Sequence, residues 1–185
     1  MIEPYETDPI DPPGRDTVTA LADRADDPPT VVSVSDIHGY LAEGRSALLA
    51  VADHPDYGAV VELDAEGRLR WAGGDECVLV FNGDLIDRGP ANEEAMATVA
   101  RLLEQAPPGH VRVTLGNHEM GLLTPNRFGW DGWYSGSRSP DERRRFLDRI
   151  RDGHVVAAYE GYSVTYAHAG RPEPYDAGDL NDRLV

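Results

Sequence analysis

A chain of 185 residues has room for one domain and not for two comfortable ones. Its 33 acids against 17 bases, every base an arginine, give a net charge of −16, which argues against nucleic acid and anionic membrane surfaces as partners. The lone Cys77 excludes an intrachain disulfide. No apolar run reaches membrane-spanning length and no basic-plus-apolar leader opens the chain, so the expectation is a soluble cytoplasmic protein.

Residues 1–30 hold eight acids, two arginines and six prolines. They read as an acidic tail with one short helix around Thr17–Arg24, because such a composition buries little apolar surface. The remainder, 31–185, reads as the domain. Val31–Ser35 is a β-branched run expected to form a buried strand. A helix is expected from Leu41 to about Ala52, with Leu41, Leu48, Leu49 and Ala52 on one side. Ala59–Leu63 and Arg68–Trp71 flank Asp64-Ala65-Glu66-Gly67 and read as a hairpin. Cys77–Phe81 is a second buried strand, with the Cys77 thiol read as a small hydrophobe. A helix over about Ala91–Glu104 follows, then a third strand at Val111–Leu115 and a helix over Asp141–Arg151. Val155–Tyr159 and Tyr162–Ala167 read as a hairpin around Glu160-Gly161. Asp179 to Val185 reads as the start of a helix.

Three of these strands run into loops rich in Gly, Asp, Asn and His: Ser35-Asp36-Ile37-His38-Gly39, Asn82-Gly83-Asp84-Leu85-Ile86-Asp87-Arg88-Gly89 and Gly116-Asn117-His118-Glu119. Strands alternating with helices predict a sheet covered by helices, and in such sheets the loops at the carboxyl ends of neighbouring strands meet in one crevice. Carboxylates, an amide oxygen and imidazoles suit intermediate or hard divalent cations, and a single cysteine excludes a thiolate site. Asp36 and His38, two apart, can grip one ion, and Asp84 has two oxygens with which to bridge a pair. Asn117 offers a neutral oxygen, and His168, after the last strand, a further nitrogen. Glu119 reads as a support of its loop. His54, His110 and His154 lie in polar, turn-like settings that predict surface positions. Trp130, Trp133 and Tyr134 suit either a cleft wall or the core.

The ordered set of an Asp-x-His-Gly turn, Gly-Asp-x-x-Asp-Arg-Gly, Gly-Asn-His-Glu and a histidine followed by small residues resembles the calcineurin-like metallophosphatases, within them the phosphoprotein phosphatase branch. Trp71-Ala72-Gly73-Gly74-Asp75 leading into Val78–Gly89 resembles the Shewanella-like bacterial-type enzymes. The resemblance implies an α/β fold, the αββα sandwich of the family, and hydrolysis of phosphate monoesters of the serine/threonine phosphoprotein type. It implies two divalent ions: Mn²⁺ first, with Fe, Zn, Co or Ni as alternatives. Asp36 and His38 would hold one ion, Asn117 and His168 the other, and Asp84 both, with a hydroxide between them as nucleophile. It further implies that Arg88 grips phosphate, that His118 protonates the leaving group and that Asp87 orients His118. The partner is then a phosphorylated protein or a small phosphoester.

The family's last histidine has no counterpart among the seventeen residues after His168. Either the chain is a fragment, with the sandwich incomplete at its C-terminus, or the second ion takes water, Asp176 or Asp179 instead. Arg171 is a candidate for a second phosphate-binding arginine by position alone. Two rival readings remain: hydrolysis of dinucleoside polyphosphates, and a catalytically impaired phosphate-binding module without a full second metal site.

Overall fold

The computed structural model describes residues 28–184 except Gly129 and Asp131. The short helix expected around Thr17–Arg24 and most of the acidic segment lie outside the described residues. Four strands form a sheet in the order β1-β4-β5-β6, all neighbours parallel. They are β1 (Thr30–Val34), β4 (Cys77–Phe81), β5 (Val111–Thr114) and β6 (Val155–Val156). Between β1 and β4 come α1 (Leu41–Ala50), continued by a 3-10 turn over Val51–Asp53, and the antiparallel hairpin β2 (Val61–Leu63) and β3 (Leu69–Trp71). Helix α2 (Asn92–Gln105) joins β4 to β5. The short α3 (Met120–Leu123) and α4 (Pro125–Phe128), a 3-10 turn at Ser135–Ser137 and α5 (Pro140–Arg151) lead into β6.

The five residues of β4 are apolar without alternation, as both faces of a covered parallel strand require, and all five are buried. Cys77, Leu79 and Phe81 face the larger core with Val111, Val113, Leu102, Phe146 and Ile150, so α2 and α5 cover that face. Val78 and Val80 face the other way, against Val156 and Tyr159. Burial also pushes the Cys77 thiol up, as befits an inert core side chain.

The second layer differs from the expectation of a hairpin around Glu160-Gly161. Val155 and Val156 belong to the parallel sheet, beside Val113 and Thr114 of β5. The hairpin is β7 (Tyr159–Gly161) with β8 (Val164–Tyr166), and its turn falls on Tyr162 and Ser163, at φ 53° and 58°. Beside the four-stranded sheet, the described residues thus form two two-stranded sheets, β2–β3 and β7–β8. Helix α6 (Ala177–Leu184) is fastened beside the latter: Asn181 Oδ1 accepts from the Ala157 and Ala158 amides at 2.8 and 3.0 Å, and its Nδ2 donates to the Ala158 carbonyl. Among the described residues no helix is long and apolar enough to cross a membrane.

Helix α5 begins with a reciprocal cap. Ser139 Oγ accepts from the Glu142 amide, and Glu142 Oε2 accepts from the Ser139 amide at 2.8 Å. Its next turn carries Arg143, whose Nη1 donates to the Gly121 and Leu122 carbonyls while Nη2 donates to Ser135 O at 3.1 Å. One guanidinium thus fixes the loop around Ser135 to α3.

Candidate metal centre

Register brings the motifs together. Val34 pairs with Phe81, and Phe81 with Val113, so the three motif loops leave the sheet at the same, carboxyl end. Backbone bonds stitch them: the Asp36 amide donates to Gly83 O, His38 to Asp84 O, and Gly89 to His38 O. Asn82 Nδ2 donates to Ala167 O at 3.1 Å, drawing in the loop that carries His168.

The loops are tight to the point of strain. Seven described non-glycine residues have positive φ, and five are Asp36 (56°), His38 (47°), Asp84 (53°), Asp87 (70°) and Arg88 (65°). Such backbone costs about 1–3 kcal/mol each and persists where surrounding structure imposes it, typically at functional sites. Gly116 shows how little room is left: a Cβ there would collide with Asp84 N and Oδ1 and come within 2.6 Å of Glu119 Oε2.

Glu119 imposes part of this geometry. Its fully buried carboxylate accepts the amides of Asp84 at 2.8 Å, Leu85 at 2.9 Å and Gly116 at 3.0 Å. Burial pushes its carboxyl above the ordinary range, and the amide of Asp84 pulls it back. Replacing Glu119 by leucine strands three buried amides. Each costs about 1–3 kcal/mol, so a loss of at least about 3 kcal/mol is expected, read as a lower urea midpoint.

The donors converge on Asp84. Its Oδ2 lies 3.5 Å from His38 Nε2, 3.4 Å from His168 Nε2 and 3.8 Å from His118 Nε2. His38 Nε2 is also 3.5 Å from Asp36 Oδ1. Two donor triads result, His38–Asp84–His118 and Asp36–Asp84–His168, each with ligand atoms within 4.8 Å of one another. Asn117 Oδ1 is 3.1 Å from His168 Nε2.

The protons decide whether a cation fits. His38 Nδ1 donates to Ile86 O at 3.0 Å, so its Nε2 carries a lone pair; that atom is buried and has no hydrogen-bond partner. It faces two carboxylate oxygens. His168 repeats the pattern: Nδ1 donates to Asn82 O at 3.0 Å, leaving the Nε2 lone pair aimed at Asn117 Oδ1 and Asp84 Oδ2. Acceptors gathered against acceptors repel, and a divalent cation between them turns each repulsion into a bond. The Nδ1–carbonyl bond is also the usual outer partner of a metal-binding imidazole.

His118 differs. Its Nδ1–H donates to Asp87 Oδ2 at 2.9 Å, and Arg88 Nη2 donates to its Nε2 at 3.2 Å. Asp87 is fully buried, and its carboxylate also accepts the Ser135 amide at 2.8 Å and the Ser135 hydroxyl at 2.7 Å. The Trp133 ring lies parallel to His118, 9° and 4.6 Å away, and His38 meets it edge-on. Tyr134 instead packs on the core beneath Arg138.

The structure thus brings together Asp36, His38, Asp84, Asp87, Arg88, Asn117, His118 and His168. It does not bring in three others. Arg171 donates to Glu173 O and Pro174 O in its own exposed loop. Asp176 Oδ1 accepts the Asp179 amide at the start of α6, and neither acid belongs to the donor triads found among the described residues. Of the histidines expected at the surface, only His54 is exposed; His110 is buried, its Nδ1 bonded to Cys77 O, and His154 is half-buried. Ser135 and Trp133 are site neighbours whose placement no motif announces, although the aromatic stretch pointed to their vicinity.

The family model for calcineurin-like phosphoesterases matches residues 29–183. No curated protein matches the chain. Among solved structures, a point mutant of a cold-active protein tyrosine phosphatase aligns with a TM-score of 0.50 at 24% identity, over 76% of this chain and 41% of that one. The cold-active protein-tyrosine phosphatase of a psychrophilic Shewanella species aligns at 0.47 and 24% identity, over the same shares of 76% and 41%. The chain therefore spans about two fifths of the length of those phosphatases, and at 24% identity the likeness to the first concerns the fold alone.

Proposed function

The chain belongs to the calcineurin-like phosphoesterase family, and from that premise we propose that its domain, residues 31–185, hydrolyses phosphate monoesters with the help of two divalent cations. Asp36, His38 and Asp84 hold one cation; Asp84, Asn117 and His168 hold the other. Oxygen and imidazole donors suit manganese first, and iron, zinc, cobalt or nickel next. Bound there, the cations supply positive charge to the phosphoryl oxygens and lower the pKa of a water near phosphorus.

The remaining work falls to the chain's own side chains. Arg88 takes two phosphate oxygens with its paired N–H groups. To do so it leaves His118 Nε2, which it now contacts at 3.2 Å, and that nitrogen becomes free to carry a proton. His118 delivers this proton to the ester oxygen as it departs. Asp87 fixes the Nδ1–H tautomer and balances the imidazolium charge. Ser135 and Arg143 hold Asp87 in place.

The observation that carries the reading is the buried, partnerless His38 Nε2 facing the oxygens of Asp36 and Asp84. The test is manganese-loaded protein assayed for metal content and for hydrolysis of phenyl phosphate. Turnover with two ions per chain is expected; an inert protein holding one ion would point to a phosphate-binding module instead. Ser135→Ala is expected to lower kcat about tenfold with unchanged manganese content, the usual scale for losing a group that orients a site residue.

A further inference from the structure

Two half-buried arginines on neighbouring helices lack an acidic partner. Arg45 lies on α1 and Arg101 on α2, and among the described residues neither forms an ion pair. Acids outnumber bases 33 to 17 in this chain, so counter-charges are plentiful, and burial raises the cost of going without one. Both arginines line the same cavity, of about 230 Å³, between α1, α2 and the turn of the β2–β3 hairpin. Arg101 is held in place there: its Nη1 donates to the Leu69 carbonyl at 3.1 Å, which leaves most of its five N–H groups for a ligand. Arg68 stands beside them but brings its own acids, Asp64 at 2.8 Å and Glu66 at 2.9 Å. Glu94 is the single acid of the lining; it is exposed and pairs with none of the three arginines. None of the donors assigned to the metal centre lines this cavity.

We infer that the cavity is a second anion site, separate from the metal centre, and that it takes the phosphate group of a small molecule. A guanidinium presents a planar fork of donors that matches two oxygens of an oxyanion. A carboxylate has two oxygens and satisfies one such fork, whereas the three terminal oxygens of a phosphate dianion serve Arg45 and Arg101 together. Thr98, buried in the same lining, adds a hydroxyl donor. The volume is below that of pockets for drug-sized ligands, and Leu41 and Leu69 give it an apolar side for a short organic remainder. An anion held there joins α1 to α2, the helices that follow the first and second motif loops.

Inorganic phosphate titrated calorimetrically into the manganese-loaded chain, at constant ionic strength, tests this. Two phosphates per chain are expected, one at the metals and one in the cavity. Arg45→Gln and Arg101→Gln are each expected to weaken one of the two about tenfold, the scale of a lost charge-assisted hydrogen bond, while kcat for phenyl phosphate stays parental. Glu94→Gln is expected to tighten that same phosphate about threefold, since a like charge at the rim is removed. Asp84→Asn, expected to hold no cations, should keep the cavity phosphate. A parent that binds a single phosphate, lost in Asp84→Asn and indifferent to Arg45, Arg101 and Glu94, overturns the inference and leaves the proposed function standing. A single phosphate kept in Asp84→Asn and weakened in Arg45→Gln supports the cavity and counts against the metal centre as a phosphate site. The parent and Glu94→Gln decide the matter even where an arginine variant fails to fold. Glycerol 3-phosphate titrated into Asp84→Asn then separates the sources: tighter binding than inorganic phosphate assigns the cavity to a small phosphate ester, and equal or weaker binding assigns it to the free ion.

Discussion

Replacing Asp84 by asparagine is expected to remove both cations and to lower kcat/KM for phenyl phosphate by about 10³-fold or more, the rate equivalent of several kcal/mol of metal-borne charge stabilisation. Asp84 is common to both donor triads, and its Oδ2 lies 3.5 Å from His38 Nε2 and 3.4 Å from His168 Nε2. Asparagine is the informative substitution. It tolerates the left-handed backbone at φ 53°, and its oxygen can still accept the His118 amide that Asp84 Oδ1 now accepts at 3.0 Å. What it lacks is charge. Metal content measured alongside turnover separates loss of the ions from collapse of the loop, and a folded variant that retains both manganese and rate would remove Asp84 from the site.

The second large effect is expected at His118, and it depends on the leaving group. With phenyl phosphate, whose departing oxygen needs a proton, His118→Asn should lower kcat about 10²–10⁴-fold. With p-nitrophenyl phosphate, whose oxygen leaves readily as an anion, the same variant should lose much less, and both preparations should keep parental manganese content. A loss of equal size for the two esters would mean that His118 does something other than donate a proton. Asp87→Asn should follow the same pattern more weakly, because it disturbs the tautomer and the charge balance of His118 while leaving the ring in place.

Much of this site can be read from sequence because it is built from loops that follow strands of plain pattern. Cys77–Phe81 is continuous apolar sequence and becomes the covered strand β4; its loop delivers Asp84, Asp87 and Arg88 to the place where parallel register also brings Asp36 and His118. The chain after Arg151 was harder to read. Its strands have two or three residues, too few for periodicity to assign them to one sheet or another, and Val155–Val156 went to the parallel sheet. Glycine at position 161 suggested the turn, but the positive-φ pair is Tyr162–Ser163. Ser135 was invisible for another reason. It meets Asp87 across 48 residues of sequence through a hydroxyl and an amide, and nothing local marks such a contact. His110 likewise sits in a polar stretch, yet its Nδ1 finds the Cys77 carbonyl and the ring is buried.

The most direct measurement is the number of manganese ions bound per chain, by equilibrium dialysis with electron paramagnetic resonance of the bound fraction. Two ions per chain, close enough to couple magnetically and both lost in Asp84→Asn, is the predicted result. A parent chain that binds no more manganese than Asp84→Asn does would contradict the assignment of these donors to a metal pair.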